Sequence, residues 1–258
     1  MEENVVVYQK KENVGIIQFN RPQRLNAINQ PLLKGFIDKL QVAGNDPEVR
    51  SIILTGAGRA FCAGEDLKET SAGKTLEQWT VEIDGLQDVQ RVIMGIGKPI
   101  IAAVNGYAVG GGLEFALSCD IRIAAEDAQF GFPETGVGLT VTTAGTKLIT
   151  QIIGLGRAKE LILTGRFVDA AEALEIGLVN KVVDNGALMD RALEMCGLIT
   201  ARSPLALKLS RIAIDHGLSA SFEQILELEA SHLLTCINSN EQQTLVDNKL
   251  KNMKAGKR

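Results

Sequence analysis

Histidine is almost missing from the 258 residues: His216 and His232 are the only two, and neither sits beside another polar motif. Nothing therefore suggests a histidine-based mechanism. Cysteine is scarce as well. Cys62, Cys119, Cys196 and Cys236 form no C-x-x-C pair and have no histidine at ligand spacing. That argues against a disulfide framework and a zinc site, and no metal is expected; buried thiols in a reducing compartment fit better. Positive charge is in deficit, with 27 Lys and Arg against 31 Asp and Glu, a formal net charge of −4. Binding a phosphate backbone needs clustered cations, so no nucleic-acid partner is expected. The one basic cluster, Lys249 to Arg258, reads as the solvated end of a helix. No apolar run reaches the ~20 residues of a membrane span, so no membrane partner is expected either. The opening Met1-Glu-Glu-Asn lacks the basic and apolar segments of a secretory leader. A soluble, cytoplasmic protein is the expectation. Linkers rich in Gly, Ser or Pro, low-complexity segments and fixed-period repeats are also missing.

What is present is material for a core. Hydrophobic residues make up 45% of the chain and charged residues 22%, enough for a sizeable α/β domain. Residues 5–19 read as a hairpin, two β-branched runs about a turn at 10–13. Pro31 opens a helix with Leu32, Leu33, Phe36, Ile37 and Leu40 at helical spacing, closed at Asp46-Pro47. Strands are expected at 51–55, 99–104 and 121–124, with a loop at 110–118 entering a helix. Strands alternating with helices imply parallel βαβ units. After Gly136 helical patterns dominate, near 143–153, 156–163, 170–176, 186–200, 203–215 and 221–251, with a lone late strand at 179–183. Apolar surface in the last sixty residues exceeds what a small lid needs, which suggests a subunit interface.

Three segments carry the chemistry. In Lys98–Asp120 a strand runs into Gly110-Gly-Gly112, and a helix follows. Glycines permit close backbone approach, and the helix start offers free N–H groups and a favourable dipole for developing negative charge. That is the physical recipe for an oxyanion hole. Glu114, two residues on, is either a charge at the helix start or a catalytic group. In Phe130-Gly-Phe-Pro-Glu134, Pro133 fixes the approach of Glu134. Neighbours Phe130, Phe132 and Val137 would desolvate its carboxyl and raise its pKa toward the range useful for proton transfer; the alternative is an ordinary turn glutamate. In Gly58–Lys68, Ala63-Gly64 makes a tight turn and Asp66 suits a helix cap, a structural part rather than a catalytic one. Trp79, Ile83, Leu86 and Val89, at helical spacing, either line an acyl pocket or pack in the core.

In this order and spacing the segments closely resemble the crotonase superfamily, the enoyl-CoA hydratase/isomerase family. Its F-x-A-G-x-D-L, N-G-x-x-x-G-G-G-x-E-(x)5-D and F-x-x-P-E patterns all have counterparts here. So do R-P-x-x-x-N-A, at Arg21-Pro22 and Asn26-Ala27, and a later pattern running from Thr164-Gly165 to Gly177-Leu178-Val179. The resemblance covers about Val5 to Val183. It implies a ββα spiral core over 1–195 and a helical C-terminal trimerisation region over 196–258, assembled as a homotrimer or homohexamer. It implies an oxyanion hole at the backbone N–H groups of Glu65 and Gly111. Glu114 and Glu134 would be the catalytic pair. CoA and substrate contacts would fall at Arg24, Ala27, Ala63, Asp66, Leu67, Gly110 and Pro133. No cofactor is expected, since coenzyme A is part of the substrate.

Two stretches depart from the family. Gly138–Gly145 carries Val141-Thr142 where hydratases often have a Pro-Gly pair, which alters the pocket wall. The usual E-G-x-x-A-F is missing around 238–249. The leading expectation is hydration of a 2-enoyl-CoA. Alternatives are double-bond isomerisation, chemistry on a cyclic or carnitine-type acyl-CoA, and an inert or RNA-binding protein of the same fold. Both glutamates argue against inertness, and the acidic charge argues against RNA. An aspartate-based chemistry in 140–145 is disfavoured, because that stretch holds no acid. A Rossmann site is set aside, because Gly110–Gly112 does not fit G-x-G-x-x-G.

Overall fold

The computed structural model describes residues 4–254. Residues 1–3, part of the opening on which the missing leader was read, and residues 255–258 of the basic tail lie outside them. The chain divides into two compact units, one ending at Ile199 and the other beginning at Thr200. The boundary expected at 195 falls inside a helix, α8 (Leu188–Thr200).

The first unit is built from two sheets. β1 (Val6–Lys11) pairs antiparallel with β2 (Val14–Phe19), the expected hairpin. α1 (Gln30–Asn45) follows, capped by the Asn29 side chain with Pro31 in its first turn; it buries Leu32, Leu33, Phe36, Leu40 and Ala43. β3 (Ser51–Gly56) pairs parallel with β2 and is fully buried. The chain then turns through Ala57–Arg59 into β4 (Ala60–Cys62), which belongs to the second sheet. α2 (Leu67–Ser71) and α3 (Leu76–Gly95) complete that turn of the spiral. The same step recurs in β5 (Ile100–Val104), β6 (Tyr107–Val109) and α4 (Gly111–Leu117). It recurs again in β7 (Ile121–Ala125) and β8 (Gln129–Gly131). α5 (Gly145–Ile153), α6 (Leu155–Thr164), β9 (Phe167–Asp169), α7 (Ala170–Glu175) and β10 (Lys181–Val183) lead to α8. The larger sheet runs β1-β2-β3-β5-β7-β10 and the smaller β4-β6-β8-β9. Each ββα turn therefore places one strand in each sheet, as the crotonase resemblance implies.

The corners between sheets explain the Asn105-Gly106 pair. Asn105 Oδ1 accepts from the Gly56 N–H at 3.1 Å, and its Nδ2 donates to the Gly58 carbonyl at 2.8 Å. A β-carbon on Gly106 would lie 2.1 Å from the Arg59 carbonyl oxygen, so no larger residue fits. Asn26 braces the same corner from the other side of the chain, donating to the Ala57 and Ala60 carbonyls while accepting from the Arg21 N–H. Beneath lies a cluster of Phe19, Phe36, Phe61 and Phe115, with ring centroids 4.9–6.0 Å apart.

The second unit holds α9 (Pro204–Gly217), α10 (Phe222–Asn238) and α11 (Asn240–Lys254). The single helix expected over 221–251 is two. Ser239 is extended, and its hydroxyl donates back to the Cys236 carbonyl at 2.7 Å, local bonding that competes with helix continuation. Among the described residues, no helix in either unit is long and apolar enough to cross a membrane.

Candidate active site

The three motif segments meet because β4, β6 and β8 are parallel neighbours. Their C-terminal ends lie side by side on one edge of the small sheet. Cys62 leads into Ala63-Gly64-Glu65, Val109 into Gly110-Gly111, and Gly131 into Phe132-Pro133-Glu134. Carboxyl ends of parallel strands are where α/β folds generally place ligands.

The first two segments touch through their glycines. A β-carbon on Gly64 would sit 2.7 Å from the Val109 carbonyl oxygen. One on Gly110 would sit 3.9 Å from the Gly64 α-carbon, and one on Gly112 would meet the Cys62 carbonyl oxygen at 2.1 Å. Only glycine allows backbones this close. The residues that follow, Glu65 and Gly111, carry the expected pair of donors. Among the described residues neither N–H donates within the chain. Glu65 is flanked by a short ladder in which the Ile28 N–H donates to the Gly64 carbonyl (2.7 Å) and the Asp66 N–H to the Ile28 carbonyl (3.1 Å). Gly111 is the first residue of α4, where N–H groups have no partner inside the helix.

Glu114 stands in the first turn of α4 with only 1% of its surface exposed. Its carboxylate accepts three backbone N–H groups, from Thr143 at 2.5 Å, Gly145 at 3.1 Å and Thr142 at 3.4 Å. Burial raises its pKa above the ordinary carboxyl value, and the three donors oppose that rise. This cradle corrects the helix expected from 143. Ala144 is left-handed, at φ +60°, which aims the N–H groups at Glu114, and α5 begins only at Gly145. A β-carbon on Gly145 would strike the Glu114 side chain at 2.8 Å.

Glu134 opens a short 3-10 turn directly after Pro133. Its Oε2 is buried without a hydrogen-bond partner among the described residues. Burial pushes its pKa up to about 7, and the negative charge of Glu114 adds to the rise against the pull of its own backbone N–H. The electrostatic coupling shows that the two carboxyl groups sense each other. Phe130 and Phe132 are buried as expected, whereas Val137 is exposed and forms no apolar wall.

The other expected contacts divide. Arg24 and Leu67 are exposed at the surface, and Ala27, Asp66 and Gly110 are buried. The Asp66 side chain caps α2 through the Lys68 N–H and pairs with Arg21 at 3.3 Å, while Arg21 also donates to the Ala27 carbonyl. The Ala63 N–H donates to the Leu25 carbonyl. Asp66 and Ala63 thus tie the 21–28 loop to the turn that carries Glu65. On α3, Leu86 and Val89 both belong to the core, and Leu86 would also lie 3.9 Å from a Gly111 β-carbon. Sequence reasoning missed the donors Thr142, Thr143 and Gly145. The departure of 138–145 from the family pattern was the available signal.

The sequence model of the enoyl-CoA hydratase/isomerase family matches residues 9–253. The short-chain-enoyl-CoA hydratase of Clostridium acetobutylicum is 42% identical over 94% of this chain and 93% of its own length. The crotonyl-CoA hydratase of Syntrophomonas wolfei is 37% identical over 93% and 92%. A crystal structure of enoyl-CoA hydratase from Bacillus anthracis superposes with a TM-score of 0.92 at 35% identity, covering 98% of this chain and 97% of that one. The fold and the strand-end site define a crotonase-type protein. The chain belongs to the enoyl-CoA hydratase/isomerase family.

Proposed function

We propose that the protein hydrates the 2,3 double bond of a short 2-enoyl-CoA, with Glu114 and Glu134 dividing the proton work. The observation that carries this reading is the unequal treatment of two neighbouring carboxyl groups. Burial raises the pKa of both, but at Glu114 three backbone N–H donors oppose the rise. Glu134 has none from another residue, a pKa of about 7 and an unpartnered oxygen. The donors make Glu114 the better-supported anion of the pair and leave Glu134 the better-supported acid.

In this mechanism the thioester carbonyl accepts the N–H groups of Glu65 and Gly111, which stabilise it as it becomes enolate-like. The Glu114 carboxylate takes a proton from water while the water oxygen bonds to the β-carbon. The π electrons move to the carbonyl, and the Glu134 carboxyl delivers its proton to the α-carbon. The names of the two hydratase relatives support the short acyl group. Exposed Arg24 and Leu67 suit contact with the CoA nucleotide, with Ala27, Ala63, Asp66, Gly110 and Pro133 shaping the backbone around it. No cofactor beyond the CoA of the substrate enters these steps.

Hydration of crotonyl-CoA, followed as loss of the conjugated thioester absorbance, tests the assignment. A wild-type protein that only moves 3-enoyl double bonds to the 2 position overturns it in favour of isomerisation. Assembly belongs to the same reading. Phe222, Leu218, Leu233 and Leu234 in the second unit are exposed, Phe222 by 87%. Burying them against further copies fits a homotrimer or a dimer of trimers. The four free cysteines fit a cytoplasmic location.

A further inference from the structure

We infer that Lys74 and Glu82 are positioning residues of the thioester clamp, holding the Glu65 N–H on target through the Glu65 side chain. The inference rests on the clamp assigned above. Its starting point is a cluster that the proton chemistry does not use. The Lys74 ammonium donates to the Glu65 carboxylate and, at 2.5 Å, to that of Glu82. The Thr70 hydroxyl donates to the same Glu65 oxygen at 2.9 Å. The ammonium also lies 4.6 Å from the centroid of the Trp79 ring. The three charged side chains are largely withdrawn from water, 11% exposed for Lys74, 18% for Glu65 and 4% for Glu82.

Such a cluster is a poor stabiliser. Desolvation offsets most of the attraction and, with Glu65 nearby, pushes the Glu82 pKa up to about 7, and apolar residues would often serve stability as well. What charge adds here is registry. Glu65 sits in a turn made of Ala63, Gly64 and a five-residue helix, with Gly73 left-handed just beyond. Its neighbours Gly64 and Asp66 are bonded to Ile28, but among the described residues the Glu65 main chain itself makes no such bond. α3, by contrast, is a 20-residue helix locked at its start by a Thr75–Gln78 capping box. Glu82 anchors Lys74 to this helix, and Lys74 holds Glu65. One turn further along α3, Leu86 packs toward Gly111, the other donor. A single rigid helix therefore references both halves of the clamp.

The test compares wild type, Glu65→Ala, Lys74→Met, Glu82→Gln and the Glu65→Ala/Lys74→Met double variant. Two readouts are taken: kcat and KM for crotonyl-CoA, and the carbonyl stretching frequency of bound, isotope-labelled butyryl-CoA. A whole lost donor costs about 10²–10³ in kcat, and a misdirected one less. Lys74→Met is expected to lower kcat about tenfold with little change in KM, and to weaken the carbonyl downshift. In the Glu65→Ala background the same change is expected to do nothing further, because the path runs through Glu65. Glu82→Gln, which keeps the side chain's shape, should give a smaller loss of the same kind and decides the matter if Lys74→Met does not fold. Lys74→Arg should retain most of the activity. Wild-type carbonyl frequency and kcat in Lys74→Met or, failing its folding, in Glu82→Gln would overturn the inference. So would losses that multiply in the double variant. A wild type that shifts the carbonyl but does not hydrate would sink the hydratase reading and leave this one standing.

Discussion

The carboxylate of Glu134 rests on the backbone of Gly110, where a β-carbon would stand 2.8 Å from its Oε1. The acid is thus seated on the same turn that presents the Gly111 N–H. Gly110 also has φ +54°, a region costly for other residues. Gly110→Ala is expected to destabilise the fold by about 1–3 kcal/mol and to displace Glu134. Activity per folded molecule should then fall at least tenfold, measured by hydration rate with circular dichroism reporting the folded fraction. Unchanged activity would show that the carboxylate does not need this seat.

Removing either proton-transfer group should cost far more than moving it. Glu114→Gln and Glu134→Gln are each expected to lower kcat by about 10²–10⁴, the range for a lost general acid or base. Stopped-flow absorbance on crotonyl-CoA measures this. Wild-type hydration by Glu114→Gln would refute the division of labour.

The pH dependence follows from Glu134. Its folded pKa, about 7, is raised above the ordinary 4.5, so the native state holds a proton that the unfolded chain releases. As an acid catalyst it should fail as pH rises through about 7, and kcat/KM for hydration should decline above that point. Stability carries the same sign. The contribution is full below pH 4.5 and lost as pH rises toward 7. Wild type should therefore lose unfolding free energy across that window relative to Glu134→Gln, measured by urea titration at several pH values.

The clamp predicts a different pattern. Gly111→Val would place a branched side chain where even a β-carbon meets Ile28 at 2.8 Å. Misdirecting that donor should reduce kcat about 10²–10³-fold. Free CoA should bind wild type measurably by calorimetry at millimolar concentration and compete with substrate; failure to bind would contradict the assigned nucleotide contacts.

Assembly is tested by sedimentation at micromolar concentration. A trimer or hexamer is expected, and a stable monomer would contradict the role given to the exposed leucines and Phe222 of the second unit.

The larger sheet and α1 were legible in the sequence because Val14–Phe19, Ser51–Thr55 and Pro99–Val104 are β-branched runs bounded by turns. The smaller sheet was not. β4, β6, β8 and β9 are three residues each, too short to show a period, and β6 and β8 lie inside segments legible only as motifs. Glu114 and Glu134 stood out because glycines and a proline flank them. Lys74 and Glu82 gave no such signal. Their partnership with Glu65 is a tertiary contact across a turn, and a charged residue in an amphipathic helix reads as a solvated face. The Thr142–Gly145 cradle escaped for a related reason. Main-chain donors leave no residue type to recognise.

That last property has a practical side. In the proposed reaction the electrophile is gripped by peptide groups at strand ends, whereas proton traffic depends on two side chains and the segment that cradles one of them. Gripping and reacting are therefore separately editable. A laboratory library confined to 134–145 could change which carbon receives a proton, or whether water is admitted, without dismantling the grip. The glycines at 64, 110 and 112 should stay outside any such library, because their replacement collides with main chain or carboxylate rather than with a side chain able to repack.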